Sequence, residues 1–244
     1  MQLSDATLQR KRKRAAALSE RRSKAARAFA NSPIGPQSYE ATLDGFKGRN
    51  KKRLPRHFDE LFSNLRRLVY SRKIVVDDGC VSQTPPAKVL RNTFEILVTL
   101  LTICDLKSGQ IGKPQVGGMD PTSHERLMEL HAIRFGRALT SSTWYRYIDA
   151  LKRAGIYSVK EVRVEGDVPG TMRSRAAYKW LSQTFLHAIG TAQDSIRASI
   201  DLAYRKAIAA GREFHYRVVL RKRDYSAQTL PDLFGGMFSP PRYS

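Results

Sequence analysis

The side chains best suited to chemistry in this chain lie on one short stretch, TSSTWYRYIDALKRAG, from Thr140 to Gly155. At about 100° per residue, Ser142, Tyr145, Arg146, Asp149 and Arg153 share one arc of a helix wound from it. A short helix presenting hydroxyl, phenol and guanidinium groups together is suited to entering a DNA major groove. Covalent chemistry is the alternative use of such residues, and it lacks partners. Tyr145 and Tyr147 would need a base or a metal ion to attack DNA, and no His-hydrophobe-His triplet occurs to hold one. His57, His124, His131, His187 and His215 form no metal-ligand pattern, and the carboxylates are scattered rather than paired. Gly109 to Lys113 lacks the spacing and the following hydroxyl of a phosphate loop. The expectation is a binding protein: no catalytic residues, no metal, no cofactor.

Several elements must hold that arc in place. On the opposite side of the same helix Trp144, Tyr147, Ile148 and Leu151 fall at i, i+3, i+4 and i+7, a stripe that must be buried. Hydroxyl residues at its start suit an N-cap, and Gly155 suits the position after its end. Before it, Thr122 with Glu125 three residues later makes a capping box, opening a helix with Leu127, Leu130 and Ile133 that closes near Gly136. After Gly155 the period changes to that of a strand, through Ile156, Tyr157, Val159, Val162 and Val164. A turn across residues 165–170 leads to a returning strand from Met172 to Leu181. This hairpin carries Lys160, Arg163, Arg173, Arg175 and Lys179, so it is basic, as phosphate or minor-groove contact requires. The same charges also keep an exposed edge from pairing with other chains. Helix, helix, helix and then a charged hairpin is the order of a winged helix.

Around this core the chain reads as mainly α with small β hairpins: a winged helix-turn-helix with extra flanking helices and a flexible basic N-terminal arm. Residues 1–53 form the arm and linker, with RKRKR at residues 10–14, a second cluster from Arg21 to Arg27, and Pro33, Gly35, Pro36, Gly45 and Gly48 behind them. Like-charge repulsion and little apolar surface predict that the arm is loose until it meets nucleic acid. Residues 54–87 carry a helix from about Arg56 to Ser71 and a small hairpin around Asp77-Asp78-Gly79. Within residues 88–225, Lys88 to Leu106 is the most apolar helix and the expected centre of the core. Ile111 and Val116 supply an edge strand, and Ser182 to Ile189 forms a short helix. A longer helix, capped by Thr191 with Asp194, runs to Gly211 with a stripe of Ala192, Ile196, Ile200, Ala203 and Ala207. That stripe suits either a homodimer seam or, given its alanines, packing onto the domain. Phe214 to Arg223 reads as a last strand, and residues 226–244 as a flexible tail.

The balance of 43 Lys and Arg against 22 Asp and Glu, a formal net charge of +21, selects a polyanionic partner. Nucleic acid, ribosome and membrane surface all share that signature. Two cysteines suit a reducing compartment, and no apolar run approaches a membrane span. The expected setting is soluble and cytoplasmic, associated with DNA.

From about Phe94 to Gly211, roughly half the chain, the layout resembles the RepA-type plasmid replication initiators, notably the IncFII group. The resemblance rests on SSTWYRYIDALKRAGIYSV, where a Ser/Thr-started helix ends in leucine and glycine followed by isoleucine and an aromatic. A charged hairpin, the short helix SQTFLHAIG and a long basic, alanine-rich helix then follow in the same order. The resemblance implies recognition of double-stranded DNA at a plasmid origin and recruitment of the host initiator, helicase and polymerase factors. The DNA contacts it implies are Ser142, Thr143, Tyr145, Arg146 and the hairpin arginines. In the tail, QTLPDLF looks like the peptides that bacterial proteins dock into the sliding clamp. Leu233 and Phe234 would fill an apolar pocket there while Gln228 bonds at its rim. The competing readings are a winged-helix transcriptional regulator and a non-specific RNA- or ribosome-associated basic protein.

Overall fold

The computed structural model describes residues 5–31, 55, 57–71, 86–165 and 172–216; of 28–31, 161–165 and 172–177 only the backbone is described. The described part is mostly helical with two small antiparallel hairpins. The order is α1 (Asp5–Asn31), α2 (His57–Tyr70), α3 (Ala87–Leu101), β1 (Gly112–Gln115), β2 (Gly118–Pro121), α4 (His124–Phe135), α5 (Ser141–Arg153), β3 (Tyr157–Glu165), β4 (Met172–Leu181), α6 (Gln183–Ala188) and α7 (Asp194–Ala209).

α3 is the centre of the core, as its apolar sequence requires: Ile96, Leu97, Val98, Leu100 and Leu101 are all fully buried. α2 lays Phe58, Leu61, Phe62, Leu65 and Val69 against it, and α7 adds Ile196 and Ile200 to the same cluster. α3 stops at Leu101, five residues short of the expected Leu106. The Asp105 carboxylate accepts hydrogen bonds from the Lys107 and Ser108 amides and from the Ser108 hydroxyl, a local turn that competes with helix.

Gly109 to Ile111 then runs beside β4. Leu181 N donates to Gly109 O at 2.8 Å, Ile111 N to Lys179 O at 2.9 Å, and Gln110 bridges Trp180. Gly109 has φ +77°, and a Cβ there would meet the Leu181 carbonyl oxygen at 2.2 Å, so this approach requires glycine. The expected single edge strand is a hairpin instead. Ile111 lies just before β1, and Val116, 71% exposed, sits in the turn between β1 and β2.

Three other expectations are corrected. The N-cap of α4 is Ser123, whose hydroxyl accepts from Arg126 N; the Thr122 carbonyl is taken by the Lys179 ammonium at 2.8 Å. α7 starts at Asp194 after Gln193, with no side-chain cap, while Thr191 is buried in the preceding turn. The largest correction concerns the N-terminal arm. Residues 5–31 form one helix lying against α4 rather than a loose arm. Its charge repulsion is offset because Glu125 and Glu129 of α4 face it. Arg14 pairs with Glu125 at 3.0 Å and Arg21 with the buried Glu129 at 2.7 Å. The hairpin expected around residues 74–81, residues 166–170 of the expected 165–170 turn, the part of the last expected strand beyond Tyr216 and the tail with Gln228, Leu233 and Phe234 lie outside the described residues.

Candidate nucleic-acid interface

α5 begins where the sequence places it. Thr140 is the N-cap, its hydroxyl accepting from Thr143 N at 3.2 Å, and Gly155 follows the helix with φ +67°. Trp144, Tyr147, Ile148 and Leu151 are each no more than 2% exposed. With that stripe inside, Ser142, Tyr145, Arg146, Asp149 and Arg153 are exposed together on the other side. Tyr145 keeps 43% of its surface open, a large amphipathic side chain left on the outside. The Arg146 guanidinium carbon lies 5.8 Å from the Tyr147 ring centroid, a cation–π contact that draws the charged head toward its neighbour on the helix. Thr143 is only half-exposed, and its hydroxyl accepts from Thr140 at 2.8 Å, so it serves the cap first.

β3 leaves α5 within a few residues: Ile156 N donates to Leu151 O at 3.0 Å, directly after Gly155. The antiparallel register sets Lys160 opposite Tyr178, Val162 opposite Arg175, Arg163 opposite Ser174 and Val164 opposite Arg173, with an irregularity between Lys160 and Val162. Lys160 is exposed; for Arg163, Arg173 and Arg175 the structure describes the backbone position alone. The arc of α5 and the basic hairpin are thus held at a fixed spacing by one short, hydrogen-bonded connection.

Three groups lie at the back of this surface: His124 and Arg22, which the sequence did not mark as functional, and Lys179, expected among the phosphate-facing charges of the hairpin but buried against the Thr122 carbonyl instead. His124, in the first turn of α4, accepts a hydrogen bond at Nδ1 from Trp144 Nε1 (3.1 Å), leaving Nε2 to donate to the Tyr157 hydroxyl (3.3 Å). Its ring also meets Tyr145 edge-on, with centroids 5.3 Å apart. One imidazole therefore ties α4, α5 and β3 together. Burial, reinforced by the charges of Lys179 and Lys152, lowers its pKa to about 4 and keeps it neutral. Lys179 of β4, 2% exposed, donates to Thr122 O, and burial lowers its pKa to about 8. Burial also raises the Tyr145 phenol above its usual value, with Glu125 adding to the effect and Arg22 opposing it.

Arg22 of α1 is the third. It is 7% exposed and reaches the start of α5: its Nη1 lies 3.1 Å from Ser141 Oγ, 3.4 Å from Leu139 O and 3.1 Å from Met128 Sδ. Its Nε donates to Leu18 O in its own helix. Nothing in the periodicity of α1 marks this arginine among its many cations; only its partners more than 100 residues away distinguish it.

A buried polar network fixes α5 from below. The Glu95 carboxylate binds His131 Nε2 at 3.1 Å and the Arg137 guanidinium; Arg137 also bonds Asn92, whose amide donates to the Tyr147 hydroxyl at 3.3 Å. Burial raises the Glu95 pKa, but the hydrogen bonds and charges of His131 and Arg137 outweigh it, so it stays below the usual value. Among the described residues no group of three His, Cys, Asp or Glu side chains could hold a metal ion, and no helix is long and apolar enough to cross a membrane.

No family model, curated protein or solved structure matches the chain.

Proposed function

We propose that this protein is a sequence-specific double-stranded DNA-binding protein of winged-helix type that initiates replication at a plasmid origin. The observation that carries the reading is α5 itself. A fully buried stripe locks the helix to the core while Ser142, Tyr145, Arg146 and Arg153 stand exposed together, with a basic hairpin directly behind. The chain order supports the winged-helix assignment: α3, the Gly109–Ile111 segment bridged to β4, α4, α5, then β3 and β4. In this reading α5 enters the major groove, Arg146 and Ser142 read base edges, and Lys160, Arg163, Arg173 and Arg175 contact phosphates or the adjacent minor groove. Thr143 contributes through the helix start rather than through a free hydroxyl.

Initiation, as opposed to regulation, rests on the resemblance of the SSTWYRYIDALKRAGIYSV stretch and the elements after it to the RepA-type initiators. Host initiator and helicase are the partners it implies, with the sliding clamp added by Gln228, Leu233 and Phe234. A transcriptional regulator would use the same α5 face. A plasmid whose only replication functions are this gene and its neighbouring DNA separates the two. Autonomous replication, lost when the gene is interrupted, is the expected result; failure to replicate while the protein still binds and represses that DNA identifies a regulator.

A further inference from the structure

α1 carries nine Lys and Arg residues against two acids, and its seat on α4 uses only three of the nine. Arg14 and Arg21 meet Glu125 and Glu129, and Arg22 fills the gap to Ser141. Both pairings run in the same chain direction, so α1 and α4 start at the same end. That end is where His124 touches Tyr145, beside the exposed arc of α5. One turn of helix, about 5.4 Å, before Arg14 lie Arg10, Lys11, Arg12 and Lys13, all exposed and with no acidic partner among the described residues.

Four adjacent cations repel one another, and a helix holds them together only because the seat on α4 fixes its register. Solvation alone does not require such a seat. Glu129 is 6% exposed, and the guanidiniums of Arg21 and Arg126 bind its two oxygens. Lifting α1 away would strip one of the two cations from this buried carboxylate and leave its Oε1 without a partner, a cost that favours α1 in this position.

We propose that α1 is a further phosphate-contacting element of the interface, with residues 10–13 reaching the duplex backbone beside the first turn of α4 while α5 occupies the groove. This rests on the reading of α5 as the DNA-facing helix. It adds a sequence-independent grip next to a sequence-reading one.

The test uses the full chain and a fluorescein-labelled duplex of mixed sequence, with binding measured across a salt series. Each phosphate contact contributes about 0.9 to the slope of log affinity against log salt. Replacing Arg10, Lys11, Arg12 and Lys13 by glutamine should lower that slope by about 2–4 and weaken binding at least ten-fold at physiological salt. The preference between duplex sequences should be unchanged. Glutamine is a good helix former, so helix content should hold. Arg66→Gln with Arg67→Gln, on α2, which packs on α3 and α7, should leave the slope as it is. An unchanged slope in the fourfold variant, or an equal loss per charge in the α2 variant, overturns the proposal. So does a larger loss on single-stranded RNA than on duplex. Failure of the α5 reading shows separately, as a wild-type protein that binds all duplex sequences alike.

Discussion

Trp144→Ala will destabilise the protein by about 3–5 kcal/mol, the range for removing a large buried aromatic. Trp144 is fully buried and the largest side chain of the α5 stripe. Its loss leaves a cavity between α4, α5 and the core, and it also removes the donor to His124 Nδ1. Without that bond the imidazole keeps its link to Tyr157 but loses its hydrogen bond to α5. Stability of a domain is commonly about 5–15 kcal/mol, so this change removes a large share of it. Urea denaturation reads the loss directly. A midpoint near that of the wild type would mean that α5 does not pack through this stripe, and the exposed arc derived from it would fall as well. Trp144→Phe should lose much less, because most of the ring volume survives.

Acidification is expected to destabilise the fold between about pH 6.5 and 4, through two histidines. Burial lowers the pKa of His57 to about 4, and burial together with Lys179 and Lys152 does the same for His124. Above pH 6.5 neither the folded nor the unfolded state protonates them, and they have no effect on the pH dependence. As pH falls through that window the unfolded chain takes up both protons first, so stability declines; below about 4 the folded state protonates too and the decline levels off. At about 1.36 kcal/mol per pH unit, His57, 4% exposed, accounts for about 3 kcal/mol, and the more exposed His124 for less. The Glu95 carboxylate, held below its usual pKa by His131 and Arg137, adds a further loss at lower pH. His57→Gln should flatten the decline between pH 6.5 and 4. A stability flat across that window in the wild type would contradict the buried, neutral state of both rings.

What the sequence alone made readable was local. The stripe of α5, its Thr140 cap, Gly155 behind it, the period-2 strands of β3 and β4 and the Ser182 start of α6 are all encoded within a few residues of themselves. Side-chain competition hid the rest. Two neighbouring hydroxyls, Thr122 and Ser123, could both open α4, and the choice fell to Ser123 because Lys179, from β4, claims the Thr122 carbonyl. α3 looked longer because Asp105 stops it through hydrogen bonds that hydropathy does not register. α1 looked loose because its acids are on another helix: the sum of its own charges predicts repulsion, and Glu125 and Glu129 reverse it. The candidate site divides the same way. Ser142, Tyr145 and Arg146 follow from angular position on one helix, whereas Arg22, His124 and Lys179 are defined by partners distant in sequence.

If the outer arc of α5 reads base sequence, Arg146→Ala measured against a panel of duplexes will show it. A preferred duplex is first selected from a random library with the wild-type protein, and every single base-pair change in it is then assayed with both proteins. The wild type should lose about 1–3 kcal/mol for changes at one particular base pair, and Arg146→Ala should no longer distinguish that pair while keeping its other preferences. A uniform weakening of Arg146→Ala toward every duplex, with the discrimination pattern intact, would place Arg146 on a phosphate and contradict the account.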